Sequence, residues 1–425
     1  MKSIITCDLE GKILTMNDGA EKLFGYSKEE LINKKRVSIF SPGEIVLQNV
    51  ANWLETAVTD GEYIGKTLFI NKNKEKINAK IKITPTYKKG KKGEHIGYCG
   101  VTEKIDTDVN VKINFTTKII KWLAITRLPF TSASLLPIFV IASYFSYIGD
   151  NLVNIPSLIF CSLGILFAHI GTNMYNDYFD NLDGTDEKNN EYFQQLSGGS
   201  RAIELGLITL EKTKTYAKIF IIISLLMGLL ILFNTTMSNM INILIISSVG
   251  LFLGYFYTSP PLRLVSRKGL GELSIFLAFG PLLTLGTGFA IFNGELPNEH
   301  LFNCILLGIP IGLLTTNILL INQFPDMISD AKTNKNHLVV VFGKKKSRLI
   351  YLSILIMTIL TSFLISNLLD QFILIPTFFL LIFGIFITKY IYKNYNKREL
   401  IKANWNTIIL HALYCILLIL TLLII

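Results

Sequence analysis

Nine long apolar segments constrain this chain more than any other feature of its sequence. A helix needs about 20 residues to cross a bilayer, and segments of about that length lie near residues 129–148, 154–175, 216–234, 240–257, 270–293, 301–324, 348–366, 371–389 and 405–425. Since lipid offers no hydrogen bonds to the backbone, each segment is predicted to be a transmembrane helix. The first hundred residues are polar and charged, which predicts a soluble domain before the membrane domain.

Lysine and arginine alternate strictly across these segments. They occur before the first segment and in every second connection after it, whereas the other four connections contain none. Because cytoplasmic loops are enriched in Lys and Arg, this pattern predicts a multi-pass protein of the cell membrane with a cytoplasmic N-terminus and an external C-terminus. The formal net charge of +10 then reflects topology and anionic lipid headgroups, and a nucleic-acid partner is not needed.

The second segment ends in the run NMYNDYFD, which is rich in carboxylates and amides. Four of these side chains are offset by 0, 3, 4 and 7 residues and so share one face of a helix. They are Asn173, Asn176, Asp177 and Asp180. Asp183 and Asp186 follow around the predicted helix end at Gly184, where a solvated loop role is equally consistent.

The sixth segment ends in a similar stripe, Asn322, Asp326 and Asp330, spaced by four residues. Both segments run inward, so the two stripes are predicted to lie at one depth on the cytoplasmic side. Aspartate near hydrocarbon is costly and usually faces a polar cavity for a functional reason. Carboxylates together with diphosphate oxygens suit Mg²⁺, and asparagine adds a carbonyl ligand or a phosphate hydrogen bond. The sequence therefore predicts a magnesium and diphosphate site.

Other cytoplasmic loops supply candidate contacts to an anionic substrate. Arg201 follows Gly198 and Gly199 in SGGSR, Tyr257 and Arg263 lie in YTSPPLRLVSRKGLGE, and Lys335 follows Asp330 by five residues. Arginine can bind phosphate with two hydrogen bonds, and glycine lets backbone N–H groups approach it closely. A plain turn is an equally good interpretation of SGGSR.

Three stretches, in this order, resemble motifs of the UbiA superfamily of membrane prenyltransferases and, within it, of the menaquinone-pathway (dihydroxynaphthoate) branch. GTNMYNDYFD resembles the first NDxxD motif, YTSPPLRLVSRKGLGELSIFLAFGP the loop into the fifth helix, and NQFPDMISDAKTNKNHLVVVFG the second DxxxD motif with its trailing Lys-x-x-Leu-x-Val-x-x-Gly pattern. The resemblance covers about residues 115–425 and implies an all-α domain of nine transmembrane helices. It departs at residues 334–338, NKNHL, where the family usually has Gly-Lys-Arg-Thr-Leu.

This resemblance implies transfer of a polyprenyl group from an isoprenyl diphosphate to an aromatic ring. Four carboxylates would hold Mg²⁺ against the diphosphate: Asp177, Asp180, Asp326 and Asp330. Substrate contacts would come from Asn173, Asn176, Arg201, Tyr257, Arg263, Asn322 and Lys335. Metal and cations stabilise the departing diphosphate, and a ring carbon attacks the allylic cation. The favoured acceptor is 1,4-dihydroxy-2-naphthoate, which also loses its carboxylate; 4-hydroxybenzoate, haem, chlorophyllide and glyceryl-phosphate acceptors remain open.

The first hundred residues alternate apolar and polar side chains in five predicted strands. GKILTMNDGAEKLFGYSKEELI resembles the early strand pair and helices of a PAS domain, a small α+β fold. The predicted organisation is a PAS-like sensor at 1–108, an amphipathic linker helix at 109–128 and the membrane domain at 129–425. The resemblance implies PAS-mediated dimerisation or an unidentified sensed ligand, and the fusion suggests that this domain adjusts enzyme activity.

Two other classes of protein compete with the prenyltransferase interpretation. An ion-coupled transporter would bind its ion near the bilayer midplane, often at broken helices, whereas both aspartate stripes lie at predicted cytoplasmic helix ends. A PAS-containing membrane receptor, whose helices only transmit a signal, leaves the two stripes unexplained.

Overall fold

The computed structural model describes residues 2–88, 93–184 and 199–424. The chain divides into two compact units, Met1–Ile125 with Arg201–Thr209, and Thr126–Ser200 with Leu210–Ile425.

The first unit is built on a five-stranded antiparallel sheet with the order β2-β1-β5-β4-β3. The strands are β1 Lys2–Asp8, β2 Ile13–Met16, β3 Tyr63–Ile70, β4 Lys76–Tyr87 and β5 His95–Lys104. The helices are α1 Asp18–Phe24, α2 Lys28–Leu31, α3 Gly43–Ile45, α4 Ala51–Asp60 and α5 Phe115–Thr126. The predicted α+β architecture and its five strands are confirmed.

Strand alternation creates the core of this unit. Ile77, Ala79, Ile81 and Ile83 are buried on one face of β4, because successive side chains of a strand point to opposite faces. Phe24 stacks on a second buried ring with centroids 4.2 Å apart. Burying each large apolar side chain contributes about 1.5–3 kcal/mol.

Helix α5 has the composition of an interfacial helix. Phe115, Ile119 and Trp122 are exposed, while Lys121 pairs with Glu44 at 2.8 Å. An exposed apolar stripe beside a basic face is typical of helices that lie at a membrane surface. The interfacial role remains a prediction.

The second unit contains ten α-helices in its described part. They are α6 Ser132–Ile148, α7 Ile155–Leu182, α8 Leu210–Leu232, α9 Met237–Phe256, α10 Leu270–Phe279, α11 Pro281–Ile291, α12 Asn298–Lys332, α13 Leu338–Leu368, α14 Leu374–Asn394 and α15 Ile401–Ile424. Helices α10 and α11 form one span that is broken at Gly280, so nine spans of the described chain are long and apolar enough to cross a membrane. The predicted all-α architecture and its nine spans are confirmed.

Helices α7 and α12 extend well beyond the apolar segments from which they were predicted. They end at Leu182 and Lys332, about two turns past residues 175 and 324. Both aspartate stripes are therefore carried by continuous helix, which fixes the spacing of their carboxylates.

Helix α12 is the centre of the unit, since 83% of its most apolar window is buried, against 11% for α8 and α9. Gly308 and Gly312 of α12 approach Gly280, and a Cβ atom at any of the three would collide with backbone of the facing helix. Small residues allow such close packing, and the association of helices in lipid depends on it. The apolar surfaces of α8 and α9 remain available to lipid.

Replacing Gly308 with valine is expected to force α12 away from the break at Gly280. Overpacking of this kind costs about 1–3 kcal/mol, occasionally more, so the melting temperature in detergent should fall. Gly228→Val in α8 is the matched control, because a Cβ atom there meets nothing within 4 Å. Equal melting temperatures for the two variants would contradict the packing assigned to Gly308.

Candidate active site

A cavity of about 210 Å³ opens among α7, α10, α12 and α15 of the second unit. Its polar end is lined by Asp177 and Asp180 of α7 and by Asp326 and Asp330 of α12. All four side chains are buried. The tertiary structure thus brings together the two aspartate stripes, which are separated by some 150 residues of sequence.

Nitrogen donors contact carboxylates of both aspartate stripes. The backbone N–H of Ser200 donates to Oδ1 of Asp177 at 3.1 Å. The Nζ of Lys335 lies 3.0 and 3.1 Å from the two oxygens of Asp180. Such charge-assisted bonds are stronger than neutral ones, so the carboxylates are oriented before any ligand binds.

His337 supports the second aspartate stripe through Asp330. Its Nε2 lies 2.9 Å from Oδ2 of Asp330, and its Nδ1 accepts the N–H of Val340 at 3.3 Å, which makes it the N-cap of α13. Because Nδ1 accepts, the neutral ring carries its proton on Nε2 and donates it to the carboxylate.

Lys335 brings positive charge into this end of the cavity. Burial by itself would lower the pKa of its ammonium, but the carboxylates of Asp180 and Asp330 hold that pKa above its usual range. Tyr257 faces the same end, and burial, with the nearby charge of Glu272, raises the pKa of its phenol. Lys335 is therefore charged and Tyr257 neutral at physiological pH.

Several buried donors in this region lack a hydrogen-bond partner in the described part of the chain. They are Nδ2 of Asn173, the hydroxyl of Tyr257 and Nε of Arg127. All three residues line the cavity. Leaving a buried donor unsatisfied costs about 1–3 kcal/mol, so three such groups around one cavity point to an anionic ligand. Asn176 differs, because its Oδ1 accepts the hydroxyl of Thr258 at 2.7 Å.

The remaining predicted contacts are divided between the cavity and other parts of the described chain. Asn322 lines the cavity and accepts from Asn404 at 2.8 Å. Arg263 pairs with Asp183 at 2.7 Å, and Arg201 belongs to the first unit, where it pairs with Glu204 at 2.9 Å. Gly199 lines the cavity, whereas Gly198 and Asp186 lie outside the described residues.

Sequence reasoning missed four basic or imidazole side chains that line the cavity: Arg127, His169, His337 and His411. One signal was present, because His169 precedes Asn173 by four residues and so continues the same helix face. Arg127 is one of the basic residues before the first apolar segment, whose pattern indicates only the topology. For His411 the local signal is a polar face shared with Asn404 and Thr407, seven and four residues earlier on the same helix, but that face contains no charged group.

Two family models match this chain. The UbiA prenyltransferase family model matches residues 134–422, and a PAS domain model matches residues 1–102. In the described residues, nine apolar spans and a cavity lined by four aspartates define a polytopic membrane protein with an acidic site. The chain belongs to the UbiA prenyltransferase family and carries an N-terminal PAS domain, as both resemblances predicted.

Curated relatives are similar over part of their length. The 1,4-dihydroxy-2-naphthoate octaprenyltransferase of Escherichia coli is 29% identical over 201 residues, which is 47% of this chain and 60% of that protein. The chloroplastic 2-carboxy-1,4-naphthoquinone phytyltransferase of Arabidopsis thaliana is 27% identical over 307 residues, 69% of this chain and 74% of that one.

Solved structures share the fold. A UbiA homolog from Archaeoglobus fulgidus bound to DMAPP and Mg²⁺ superposes with a TM-score of 0.52 at 16% identity, covering 72% of this chain and 100% of that one. The apo UbiA homolog from Aeropyrum pernix K1 gives a TM-score of 0.53 at 12% identity, with 69% and 97% covered.

Lys335→Met is expected to destabilise the folded protein, because it leaves the Asp180 carboxylate buried without its cation. Breaking a buried pair in this way costs on the order of 3 kcal/mol. The pKa of Lys335 is raised on folding, so its contribution is complete below the unfolded-state pKa of about 10.4 and is lost only as pH rises through the folded-state value. The melting-temperature gap from the wild type should therefore stay constant between about pH 7 and about pH 9.

The double variant Lys335→Met with Asp180→Asn provides the control. It removes the orphaned charge and should recover part of the lost stability, because the two groups form one interacting pair. Two results would contradict a buried ion pair between Lys335 and Asp180. One is a double variant whose loss of stability equals the sum of the two single losses, and the other is a melting-temperature difference from the wild type that narrows between about pH 7 and about pH 9.

Proposed function

We propose that this protein transfers a polyprenyl group from an isoprenyl diphosphate to an aromatic acceptor, with 1,4-dihydroxy-2-naphthoate as the favoured acceptor. The observation that carries the proposal is one cavity with two chemically different ends. Four carboxylates, Lys335 and unsatisfied donors surround the polar end, while the other end is lined mainly by apolar side chains and carries no carboxylate. An isoprenyl diphosphate is divided in the same way, since it has a charged diphosphate at one end and a hydrocarbon chain at the other.

The donor set fits Mg²⁺ held jointly with a diphosphate. In the described chain, no group of three or more His, Cys, Asp or Glu side chains is placed to hold a metal ion. The two pairs, Asp177 with Asp180 and Asp326 with Asp330, offer oxygen ligands only. Mg²⁺ is commonly bound by one or two carboxylates while substrate phosphates and water complete its shell. When bound, the ion neutralises charge on the departing diphosphate.

The chain's own donors act on the same diphosphate. The Asn173 amide, the Tyr257 hydroxyl and the Arg127 guanidinium donate hydrogen bonds to its oxygens, and Lys335 adds a full positive charge. As the bond between the prenyl carbon and oxygen breaks, its electron pair leaves with the diphosphate. Preorganised donors that face this growing charge lower the barrier of the step.

The apolar end protects the allylic cation that remains. Phe130, Ile275, Phe279 and Ile318 line it, and such a lining excludes water that would otherwise capture the cation. The electron-rich ring carbon of the acceptor then attacks the cation and forms the new carbon–carbon bond, and the naphthoate ring regains its aromaticity by losing its carboxylate as CO₂. The apolar outer surface of the helices leaves the long prenyl tail in contact with lipid.

The relatives support a naphthoate as acceptor, since the Escherichia coli and Arabidopsis thaliana proteins are both named for an acceptor that is a naphthalene derivative. Other ring acceptors, such as 4-hydroxybenzoate or a chlorophyllide, would share the diphosphate site and differ only at the apolar end. The acceptor panel in the assay below distinguishes them.

Purified protein in detergent is expected to convert 1,4-dihydroxy-2-naphthoate and geranylgeranyl diphosphate to a prenylated, decarboxylated product only when Mg²⁺ is present, as read by mass spectrometry. Asp177→Asn and Asp326→Asn should each lower kcat by on the order of 100-fold or more, because each removes a carboxylate that would hold the Mg²⁺ that neutralises charge on the departing diphosphate. Asp370→Asn is the control, since Asp370 caps a short helix and accepts from Tyr147 outside the cavity.

Each alternative result has a defined meaning. Turnover with a different ring acceptor retains the prenyl transfer and replaces the naphthoate. An absence of turnover with every acceptor in the panel, or full activity in both aspartate variants, contradicts the proposed function. The ion-coupled transporter would then be tested by cation-driven uptake into proteoliposomes.

We also propose that the N-terminus is cytoplasmic and the C-terminus external, following the distribution of Lys and Arg. The variant Asn151→Cys places a cysteine in a connection without basic residues, and Lys268→Cys places one in a connection that is rich in Lys and Arg. An impermeant maleimide should label the first variant in intact cells and the second only after permeabilisation. The reverse labelling pattern would contradict this orientation.

A further inference from the structure

Two histidines lie toward the apolar end of the cavity, away from the carboxylates. His169 precedes Asp177 by eight residues on α7, a rise of about 12 Å along the helix. His411 belongs to α15, and both residues line the cavity. The diphosphate chemistry proposed above uses neither of them. Polar groups at this depth of a membrane protein usually have a function.

The hydrogen bonds of Ser134 set the tautomer of His169. Its hydroxyl donates to the carbonyl of Thr131 at 3.0 Å, and the same oxygen lies 2.7 Å from Nδ1 of His169. A hydroxyl has a single proton, so both bonds form only if His169 donates from Nδ1. The Nε2 atom of His169 is then an unprotonated hydrogen-bond acceptor.

His411 has an unsatisfied ring nitrogen. The residue is 1% exposed, and its Nε2 is buried without a hydrogen-bond partner in the described part of the chain. Its neighbour along the cavity wall is the apolar Ile408, one helical turn earlier. A buried polar atom left unpaired costs about 1–3 kcal/mol, a cost that a ligand bound in the cavity would remove.

The cavity wall that carries the two imidazoles also carries aromatic and aliphatic side chains. The ring of Phe279 meets the ring of His169 edge to face, with centroids 5.3 Å apart, and Phe130 and Ile318 complete the lining. Rings favour such edge and offset contacts with other rings. An apolar slot with one acceptor nitrogen and one unpaired nitrogen matches a flat aromatic ring that carries oxygen substituents.

We propose that His169 and His411 form the binding subsite for a hydroxylated aromatic acceptor. Nε2 of His169 accepts the hydrogen bond of a ring hydroxyl, and His411 bonds a second oxygen substituent of the same ring. The hydrogen bond to His169 increases electron density on the hydroxyl oxygen, and hence on the ring carbon that attacks the allylic cation. This inference rests on the proposed function, because it names how the same cavity selects its second substrate.

The test compares two ligands that differ in one hydrogen-bond donor. Binding of 4-hydroxy-2-naphthoate and of 4-methoxy-2-naphthoate to the purified full chain is followed by naphthoate fluorescence. The wild type should bind the hydroxyl compound about tenfold more tightly than the methoxy compound, because a tenfold difference in Kd corresponds to the free energy of about one good hydrogen bond. In His169→Phe this preference should disappear, while His411→Phe should weaken both ligands by about tenfold.

Controls separate loss of the subsite from loss of the fold. His300→Phe changes a histidine that bonds Tyr144 outside the cavity, so it should bind both ligands like the wild type. His169→Gln keeps an amide oxygen that can accept a hydrogen bond and should restore part of the hydroxyl preference. If His169→Phe does not fold, the Gln variant and the two ligands still decide the question.

Kinetics give a second readout. The acceptor KM should rise about tenfold in His411→Phe, while the KM for the prenyl diphosphate should change by less than about twofold, because the subsite contacts only the acceptor. A hydroxyl preference that persists in His169→Phe, together with an unchanged acceptor KM in His411→Phe, would overturn the subsite.

Failure of the subsite and failure of the proposed function give different results. A wild type that prenylates the acceptor, with variants that bind normally, retains the reaction and overturns the subsite. A wild type with a hydroxyl preference that depends on His169, but with no release of diphosphate from any donor, supports the subsite and overturns the reaction.

Discussion

The contact on which the rest of the site depends is the ion pair between Asp180 on α7 and Lys335 beyond the end of α12. Four buried carboxylates in one cavity would repel one another and would be costly to bury. Lys335 offsets part of that charge, and its backbone N–H also bonds the carbonyl of Asp330 at 2.9 Å. One residue therefore connects the two aspartate stripes and keeps them at a fixed separation.

A second set of contacts holds the same region from the other side. Glu272 on α10 is buried, and its Oε1 accepts from Gln323 of α12 at 3.1 Å and from the N–H of Leu338 at the start of α13 at 2.9 Å. Together with the close approach of Gly308 and Gly280, this places three helices around the cavity. Because buried polar groups are costly unless paired, such a network specifies one arrangement of its helices.

The departure of this chain from the usual family run after its second motif acquires a physical meaning in this setting. At the position where the family usually has threonine, the chain has His337, which caps α13 and also donates to Asp330. Threonine can cap a helix, but it is too short to add a donor of this reach. The acidic cluster of this protein is therefore supported by a histidine in addition to Lys335.

Local patterns in the sequence were sufficient for the architecture. Apolar length predicted the nine spans, strand alternation predicted the five strands of the PAS domain, and helical spacing placed Asp177 and Asp180 on one face. Each of these inferences concerns residues a few positions apart, whose geometry the backbone sets almost alone. Even the helix extensions to Leu182 and Lys332 change only the ends of elements whose identity was correct.

Partners that are distant in sequence were decided by the tertiary structure. Lys335 meets Asp180 across 155 residues, Arg263 pairs with Asp183 instead of lining the cavity, and His411 shares a cavity with His169. Helical spacing can show that a charge or an imidazole shares a face with other polar residues, but it does not identify a partner on another helix, because that depends on how the helices pack around a cavity. The sequence alone determined the membrane spans and the two acidic stripes, and only the packing of the helices determined which residues accompany those stripes in one site.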